Sequence, residues 1–404
     1  MSAPPEFAPP DPAPAAALLE LPAVQDILAL LAGPGEETRI VGGALRNALL
    51  GLDAKDIDFV TTHLPDEVMR IGRESGWHAV PTGIDHGTVS LVREGQAFEV
   101  TTLREDIETD GRRATVRFGR DFEHDAARRD FTINALSMGS DGILHDYFGG
   151  AADLAARRVR FIGLPQQRLR EDYLRGLRFL RFSAWYGEGR LDAEGFAAVK
   201  ALRAGFARLS RERVRQEMLL LLKAPQVLPV LAAAEKAGLV SEILGLPVDV
   251  TRLAARLALG GEASPLWRLA ALAVRQMTDI DHLREALRLT NAEDRQLCLF
   301  VEGRAAFEAS GRHDLFLLGD RYPEVAGEIL RRIASDTGDM SGLEGLERVE
   351  NPPAFHLTGK DALALGLAAG PAVGEALARA KAAWAKSGCP ADVDAQQAIL
   401  KSVL

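Results

Sequence analysis

Two stretches far apart in the chain carry residue types that can do chemistry together. Near the N-terminus, Val41-Gly42-Gly43-Ala44-Leu45-Arg46-Asn47-Ala48-Leu49-Leu50-Gly51 is followed by Asp56-Ile57-Asp58-Phe59. Much later comes Glu171-Asp172-Tyr173-Leu174-Arg175-Gly176-Leu177-Arg178. The first stretch pairs a glycine cradle for phosphate with two carboxylates able to hold metal. The second sets an acceptor and a bidentate donor on what reads as one helix face, the equipment for reading a nucleobase edge. Combined, they imply nucleotidyl transfer.

Each motif has a plainer reading beside it. A strand ending at Val41, a Gly42-Gly43 pair and a helix start would turn backbone N–H groups and the helix dipole toward a phosphate. Arg46, one turn in, would add a charge-assisted contact. Taken alone, Gly-Gly before a helix is more often a tight turn. Asp56 and Asp58 are spaced as i and i+2, which on a strand share a face at roughly 6.5–7 Å. From there they can converge on two metal ions about 4 Å apart, which activate a hydroxyl and neutralise a leaving pyrophosphate. The apolar Ile57 and Phe59 alternate with them, which disfavours a simple surface Asp-x-Asp. Glu99, in Phe98-Glu99-Val100-Thr101-Thr102, shares a face with Thr101 and is the expected third acid; an exposed strand Glu is its plain reading. In Arg128-Arg129-Asp130-Phe131-Thr132-Ile133-Asn134-Ala135, the arginines suit phosphate and Asp130 suits a sugar hydroxyl, although a capped helix start with flanking charges has the same composition.

Asp172, Arg175 and Arg178 are spaced by three, so they neighbour one another on a continuous helix. A carboxylate there accepts from the exocyclic amino group of cytosine or adenine, while a guanidinium donates to cytosine O2/N3 or adenine N1. Uracil and guanine present a carbonyl in place of that amino group and would be rejected. Contacts of this kind discriminate by ~1–3 kcal/mol each. An intrahelical Asp–Arg pair, worth a few tenths of a kcal/mol, is the competing explanation.

The elements that must position these groups are readable in outline. Thr38 to Val41, Asp56 to Thr61, Gly87 to Val92 and Ala97 to Thr102 read as strands, the last two joined by a turn at Arg93-Glu94-Gly95-Gln96. Ala44 to Leu50, closed by Gly51, and Pro65 to Glu74 read as helices. The charged, glycine-broken segment 104–113 reads as a mobile loop. Beyond about Ala151 strand signals fade, and helical periodicity runs through Asp172–Trp185, Ser210–Leu222, Val227–Ala237 and most of the remainder. The expected boundaries are an unstructured, proline-rich lead-in over 1–20, a head over 21–150, a neck over 151–225, and a helical body and tail over 226–404.

With 404 residues, 47% of them hydrophobic, the chain can bury several cores. Two isolated cysteines, Cys298 and Cys389, fit a reducing cytoplasm and exclude a disulfide framework or a cysteine-held zinc. No apolar run is long enough to span a membrane. Net charge is −9, yet fifteen Lys and Arg face six Asp and Glu between Arg157 and Arg215, a local +9 that leaves −18 elsewhere. A confined polyanion-binding face would have this signature, as would a solvated helix surface.

These motifs, with Leu209-Ser210-Arg211-Glu212-Arg213 and Glu217, resemble the class II tRNA nucleotidyltransferase and bacterial poly(A) polymerase family, within the polymerase-β-like nucleotidyltransferases. The resemblance runs from about Thr38 to Ala224, with a fainter echo at Leu357-Thr358-Gly359-Lys360-Asp361 and Gly366 to Gly374. It implies an α+β chain: a small polymerase-β-like α/β head, then an all-α neck, body and tail, with tRNA held by the helical body. It also implies a two-ion Mg²⁺ site on Asp56 and Asp58, triphosphate on Gly42, Gly43 and Arg46, sugar and phosphate contacts from Arg129 and Asp130, and base selection by Asp172 and Arg175 with support from Arg178. Asn134 belongs to the same nucleotide-binding segment. Asn47 stands where the family more often has Asp, a change that bears on how Arg46 is oriented. Ala54-Lys55-Asp56-Ile57-Asp58 is closer to the CCA-adding form than to the Pro-Lys-Asp-Phe-Asp of poly(A) polymerases, and segment 104–113 resembles the loop that CC-only enzymes lack. The expected activity is therefore addition of C, C and A to tRNA from CTP and ATP. The rivals are a poly(A) polymerase, an HD-type phosphohydrolase suggested only by pairs such as His313-Asp314, and a non-catalytic RNA-binding module, which would not need Asp-x-Asp.

Overall fold

Strand β2 (Asp58–Thr61) is central to a seven-stranded sheet, flanked by β1 (Thr38–Val41) and β5 (Gln96–Thr102). With β3 (His78–Gly83), β4 (Thr88–Arg93), β8 (Ser137–Met138) and β9 (Leu144–His145) the order is β3-β4-β5-β2-β1-β8-β9. The β2–β5 pair is parallel and its neighbours are antiparallel. The computed structural model describes residues 13–54, 56–109, 114–261, 263–309, 315–340, 343, 346, 354–387 and 392–404. It divides into two units, Met1–Leu239 and Val240–Leu404.

Phe59, Val60 and Thr61 are all buried, so β2 is covered on both faces. On one side Phe59 meets Phe98 edge-on at 6.2 Å, and Phe98 meets Trp77 at 6.4 Å. On the other, Val41, Val60, Leu103 and Phe122 form one apolar cluster. The strand starts two residues later than the alternation suggests. Asp56 has a φ of +52°, a left-handed conformation that no strand residue holds, and this starts the chain into β2 only at Asp58. The β4–β5 turn takes positive φ at both Glu94 and Gly95, the conformation a two-residue hairpin loop needs.

Two further expectations change. Residues 13–20 are not an unstructured lead-in but short helical turns, Ala13–Ala16 and Ala17–Glu20, because Ala15 and Leu18 are buried in the unit. Residues 1–12 lie outside the described residues. The segment expected to be a mobile loop begins as a strand: β6 (Arg104–Thr109) pairs with β7 (Ala114–Phe118) in a separate two-stranded ribbon. Residues 110–113 of that segment lie outside the described residues, as do Lys55, His313, Asp314 and Cys389.

After residue 151 the first unit is helical. Leu174–Tyr186 packs against Arg211–Lys223 and Val227–Lys236. Phe131, Phe161, Phe179 and Phe182 form an aromatic cluster with centroid separations of 5.1–6.3 Å, which anchors the segment after Asp130 to the Leu174–Tyr186 helix. Offset and tilted ring pairs of this sort add to what area burial alone contributes. The expected continuous helix over Asp172–Trp185 is broken: Pro165–Glu171 ends, Asp172 is extended (φ −153°), and Leu174–Tyr186 begins.

The second unit is helical throughout its described residues. One core gathers Phe300, Phe307, Leu318, Tyr322 and Ile329; another gathers Leu357, Ala362, Ala376, Ala380 and Leu400. Arg256, 2% exposed, is matched by a bidentate pair to Glu328 at 2.7 and 3.0 Å, which satisfies an otherwise costly buried charge. Thr358 and Asp361 close a capping box ahead of Gly359–Ala364. No single helix among the described residues is long and apolar enough to cross a membrane.

One glycine tests how tightly the Arg128–Asn134 segment is seated. A Cβ on Gly150 would lie 2.2 Å from the Thr132 carbonyl oxygen, a backbone atom that cannot rotate away. Gly150→Ala should therefore cost about 1–3 kcal/mol of overpacking and lower the thermal midpoint. An unchanged calorimetric midpoint would contradict this packing.

Candidate active site

The register of β2 brings the acids to the glycine pair. Val41 pairs with Asp58 across β1–β2, so Asp58 sits beside the turn where Gly42 takes a φ of +76° and opens helix Gly42–Leu49. A Cβ on Gly42 would lie 3.8 Å from Asp58 Oδ2 and 3.7 Å from Arg129 Nη1, so these three groups are immediate neighbours. On the other side, Phe59 pairs with Val100, which sets Glu99 in the strand next to Asp58.

A cavity of about 560 Å³ opens here. It is lined by Gly42, Gly43, Arg46, Asp58, Arg129, Asp130 and Asn134 from the sheet end, and by Asp172, Arg175, Arg178, Arg181, Phe182 and Arg213 from the helical end. Ten of the twelve residues singled out from the sequence thus line one space. Asp56 and Glu99 do not. Asp56 is exposed on its left-handed turn and lines a different cavity with Trp77 and Phe98. Glu99 is exposed on β5. Both still act on Asp58 through their charge.

Asp58 accepts no hydrogen bond among the described residues. Burial first, then the Glu99 charge, with a smaller push from Asp56, raises its pKa to about 6 against the pull of Arg129. For a half-buried carboxylate with repelling neighbours and no donor, a nearby cation would favour the charged form. Among the described residues no three acids stand ready as a closed cage. An open set anchored on Asp58 still suits a cation that keeps water and takes one or two carboxylates plus substrate phosphate.

Asp130 is spoken for. Its Oδ1 accepts from the Phe131 N–H and from Asn134 Nδ2, both at 2.9 Å, and its Oδ2 from Arg178 Nε at 2.7 Å and Nη2 at 2.6 Å. Burial alone would raise its pKa, but Arg178 and these hydrogen bonds hold it below the usual carboxylate range. Arg129 is tethered to Asp125 (3.2 Å), and the buried Asp125 also pairs with Arg128. Asp125 was not singled out from the sequence. Its i, i+3 and i, i+4 spacing to the two arginines was the signal.

The base-reading pair is arranged differently from the helical-face expectation. Asp172 lies in the break between helices and does not pair with Arg175. Its Oδ1 accepts from the Leu174 N–H (3.1 Å) and its Oδ2 from Arg213 Nη2 (2.6 Å). Arg175 Nη1 donates to Glu171 (2.5 Å) and to the Arg168 carbonyl, and Nη2 to the Arg128 carbonyl. Three of the five N–H groups a guanidinium carries are thereby engaged. Arg213 and Glu217, recognised in the sequence only as part of a motif, turn out to position this end: Glu217 accepts from Arg181 at 2.6 Å and lies 3.6 Å from Arg178.

The basic stretch divides between the cavity and the surface. Arg168, Arg175, Arg178, Arg181 and Arg213 are at least partly buried and ion-paired, so they organise the unit, whereas Arg157, Arg158, Arg160 and Arg190 pair with acids at the exposed surface.

The state of Asp58 has a measurable consequence. Its folded pKa of about 6 exceeds the ordinary 3.8, so the folded state holds this proton more tightly. That favours folding below about pH 4, and the advantage is lost as pH rises through 6. With divalent cations chelated, Asp58→Asn should be the more stable protein at pH 8 by about 2 kcal/mol, the full linkage value of ~3 reduced because solvent reaches the group. The difference should vanish near pH 4 in urea titrations. Equal stability of the two proteins at pH 8 would contradict the assignment.

Comparison with known proteins follows the same lines. The family described as "Poly A polymerase head domain" matches residues 38–160. The chain is 34% identical over 369 residues to "CCA tRNA nucleotidyltransferase 1, mitochondrial" of Danio rerio, covering 87% of this chain and 84% of that one. It is 40% identical over 214 residues to the "CCA-adding enzyme" of Geobacillus thermodenitrificans, 52% of each chain. Among solved structures, the Bacillus stearothermophilus CCA-adding enzyme in complex with CTP superposes with a TM-score of 0.72 at 27% identity, covering 96% of this chain and 97% of that one. Enzymes of this nucleotidyltransferase class generally use divalent metal ions. With the cavity's residues and this likeness over nearly its whole length, the chain belongs to the CCA-adding tRNA nucleotidyltransferase family.

Proposed function

We propose that this chain is a CCA-adding enzyme that attaches C, C and A to the 3′ end of tRNA, taking CTP twice and ATP once and releasing pyrophosphate at each step. The observation that carries this reading is the single cavity in which the glycine turn and Asp58 face Asp172 and Arg175. It has the volume of a small-ligand site and one polar end for each part of a nucleotide.

The residues divide the work by chemistry. The backbone N–H groups at Gly42 and Gly43 and the buried Arg46 charge receive the triphosphate. Arg129, steered by Asp125, lies beside Asp58 and meets the phosphates there. Asp130, Asn134 and Arg178 form a rigid floor for the sugar. Asp172 keeps acceptor capacity after its two hydrogen bonds, because an ionised carboxylate has about four lone-pair sites. It accepts from the amino group of cytosine or adenine, while the donors left on Arg175 face the ring nitrogen or carbonyl. The same two residues serve both bases, so no nucleic-acid template is needed. Asp58, joined by Asp56 and Glu99, would hold the cation. Its all-oxygen donor set suits Mg²⁺, and we assign it the two-ion arrangement, which when bound would lower the pKa of the attacking 3′-hydroxyl and offset charge on the leaving pyrophosphate. The tRNA contacts fall to the helical body and tail, residues 226–404, and the two-cysteine composition fits work in the cytoplasm.

The test is incubation of the purified chain with Mg²⁺ and a tRNA ending at the discriminator base, with CTP alone, ATP alone and both. Two C's followed by one A is the expected product. A long A tail from ATP alone would replace this reading with a poly(A) polymerase, and stopping after two C's would make it a CC-adding enzyme. Asp58→Ala should abolish incorporation while leaving tRNA binding near that of the unmutated protein. Asp172→Ala should instead let UTP or GTP compete, losing roughly tenfold in base discrimination, the scale of one base-edge contact. Unchanged base choice in Asp172→Ala would remove Asp172 from that role.

A further inference from the structure

Six arginines line the cavity, and five have a carboxylate partner: Arg129 with Asp125, Arg175 with Glu171, Arg178 with Asp130, Arg181 with Glu217 and Arg213 with Asp172. Arg46 has none among the described residues. It is nonetheless 6% exposed, the most sequestered position for a charge in the cavity wall. Its donors are met by neutral oxygens: Asn47 Oδ1 from Nε (3.2 Å) and Nη2 (2.9 Å), Asn134 Oδ1 from Nη1 (2.5 Å), and the Tyr186 hydroxyl from Nη2 (2.7 Å). The Tyr186 ring stacks 3.9 Å from its central carbon and the Phe182 ring 5.2 Å. Burial lowers its pKa, but a guanidinium remains charged at neutral pH.

Such a charge is solvated by neutral groups: Asp130, the anion whose charge favours it, reaches it only across Asn134 and is itself paired with Arg178. Arg46 lies directly under the phosphate cradle, for a Cβ on Gly43 would meet its Nη2 at 3.5 Å. Asn47 is the residue on which this balance turns. Its side-chain oxygen takes two bonds from the guanidinium, the fork a carboxylate would take, and its Nδ2 is anchored on the Asp53 carbonyl (3.2 Å), which fixes the oxygen toward Arg46. An aspartate there could accept the same two bonds but would cancel the charge.

We propose that Asn47 is a positioning residue that keeps Arg46 a buried cation with no carboxylate in contact, and so sets how strongly the cavity holds a triphosphate. This rests on the reading of the glycine turn as the triphosphate site. It assigns Asn47 to affinity and not to base choice: the field of Arg46 acts on the phosphates common to CTP and ATP, whereas Asp172 and Arg175 stand at the other end of the cavity.

The experiment uses the full chain and inorganic triphosphate, a probe with no base or sugar, whose binding is followed by calorimetry at low and high salt. Asn47→Asp should bind it about fivefold or more weakly, the scale of a charge-assisted contact, with a shallower salt dependence. Asn47→Ala, which loses an acceptor but adds no charge, should lose less. In turnover, Asn47→Asp should raise KM for CTP and ATP in parallel and leave their ratio of kcat/KM unchanged. In an Arg46→Gln background, where there is no cation to neutralise, Asn47→Asp should lose most of its effect on the salt dependence. Equal binding by the unmutated protein and Asn47→Asp, or equal losses in Asn47→Asp and Asn47→Ala, would overturn the charge role of Asn47 while leaving the proposed reaction intact. Failure of the unmutated protein both to bind triphosphate and to extend tRNA would instead overturn the reading of the site, and the role of Asn47 with it.

Discussion

The ion pair between the buried Asp130 and the half-buried Arg178 is the constraint on which the rest of the cavity depends. One partner comes from the loop that follows helix Phe122–Ala127, the other from the helix Leu174–Tyr186, and they meet at 2.6–2.7 Å. A buried charge is tolerated only when paired and hydrogen-bonded, so losing Arg178 would strand Asp130. Here the pairing is over-determined. Asn134 and the Phe131 N–H complete Asp130, Glu217 approaches Arg178 from behind, and the four-ring aromatic cluster supplies the apolar contact that holds the two segments together. The ion pair sets orientation and the rings supply cohesion.

From that junction the cavity acquires two ends of different electrical character. At the helical end every arginine is answered by a carboxylate, so the charges there act as oriented donors and acceptors with little net field. At the glycine turn the balance is broken twice, in opposite senses. Among the described residues Arg46 is a cation with no anion in contact, and Asp58 is an anion that accepts no hydrogen bond. In the proposed reaction a phosphate chain would meet the first and a metal cation the second. The net charge of −9 says nothing about this, because what a ligand meets is the local imbalance and not the sum.

Much of this was legible in the sequence because it depends on short-range rules. The strand-turn-helix at Val41–Gly43, the helix starting at Pro65, the β4–β5 hairpin and the helical remainder all follow from periodicity and from what glycine and proline do to the backbone. Where the reading of local pattern missed, a specific competing term decided. Asp56 left the strand because its backbone is left-handed. Arg104–Thr109 became part of a ribbon because it found a partner strand, which no local pattern announces. Residues 13–20 became ordered because Ala15 and Leu18 had a core to enter.

The sequence by itself determined which groups were available: a phosphate turn, an Asp-x-Asp, an arginine-rich segment and an Asp–Arg–Arg spacing, enough to indicate nucleotidyl transfer and family resemblance. Only the tertiary structure decided who pairs with whom. It separated Asp172 from Arg175, giving the first to Arg213 and the second to Glu171; it joined Asp130 to Arg178 and left Arg46 with neutral partners. The physical reason is range. Backbone conformation is governed by neighbours a few positions away, whereas an ion pair in a cavity is chosen among side chains that are 41 or 48 positions apart in the chain and a hydrogen bond apart in space.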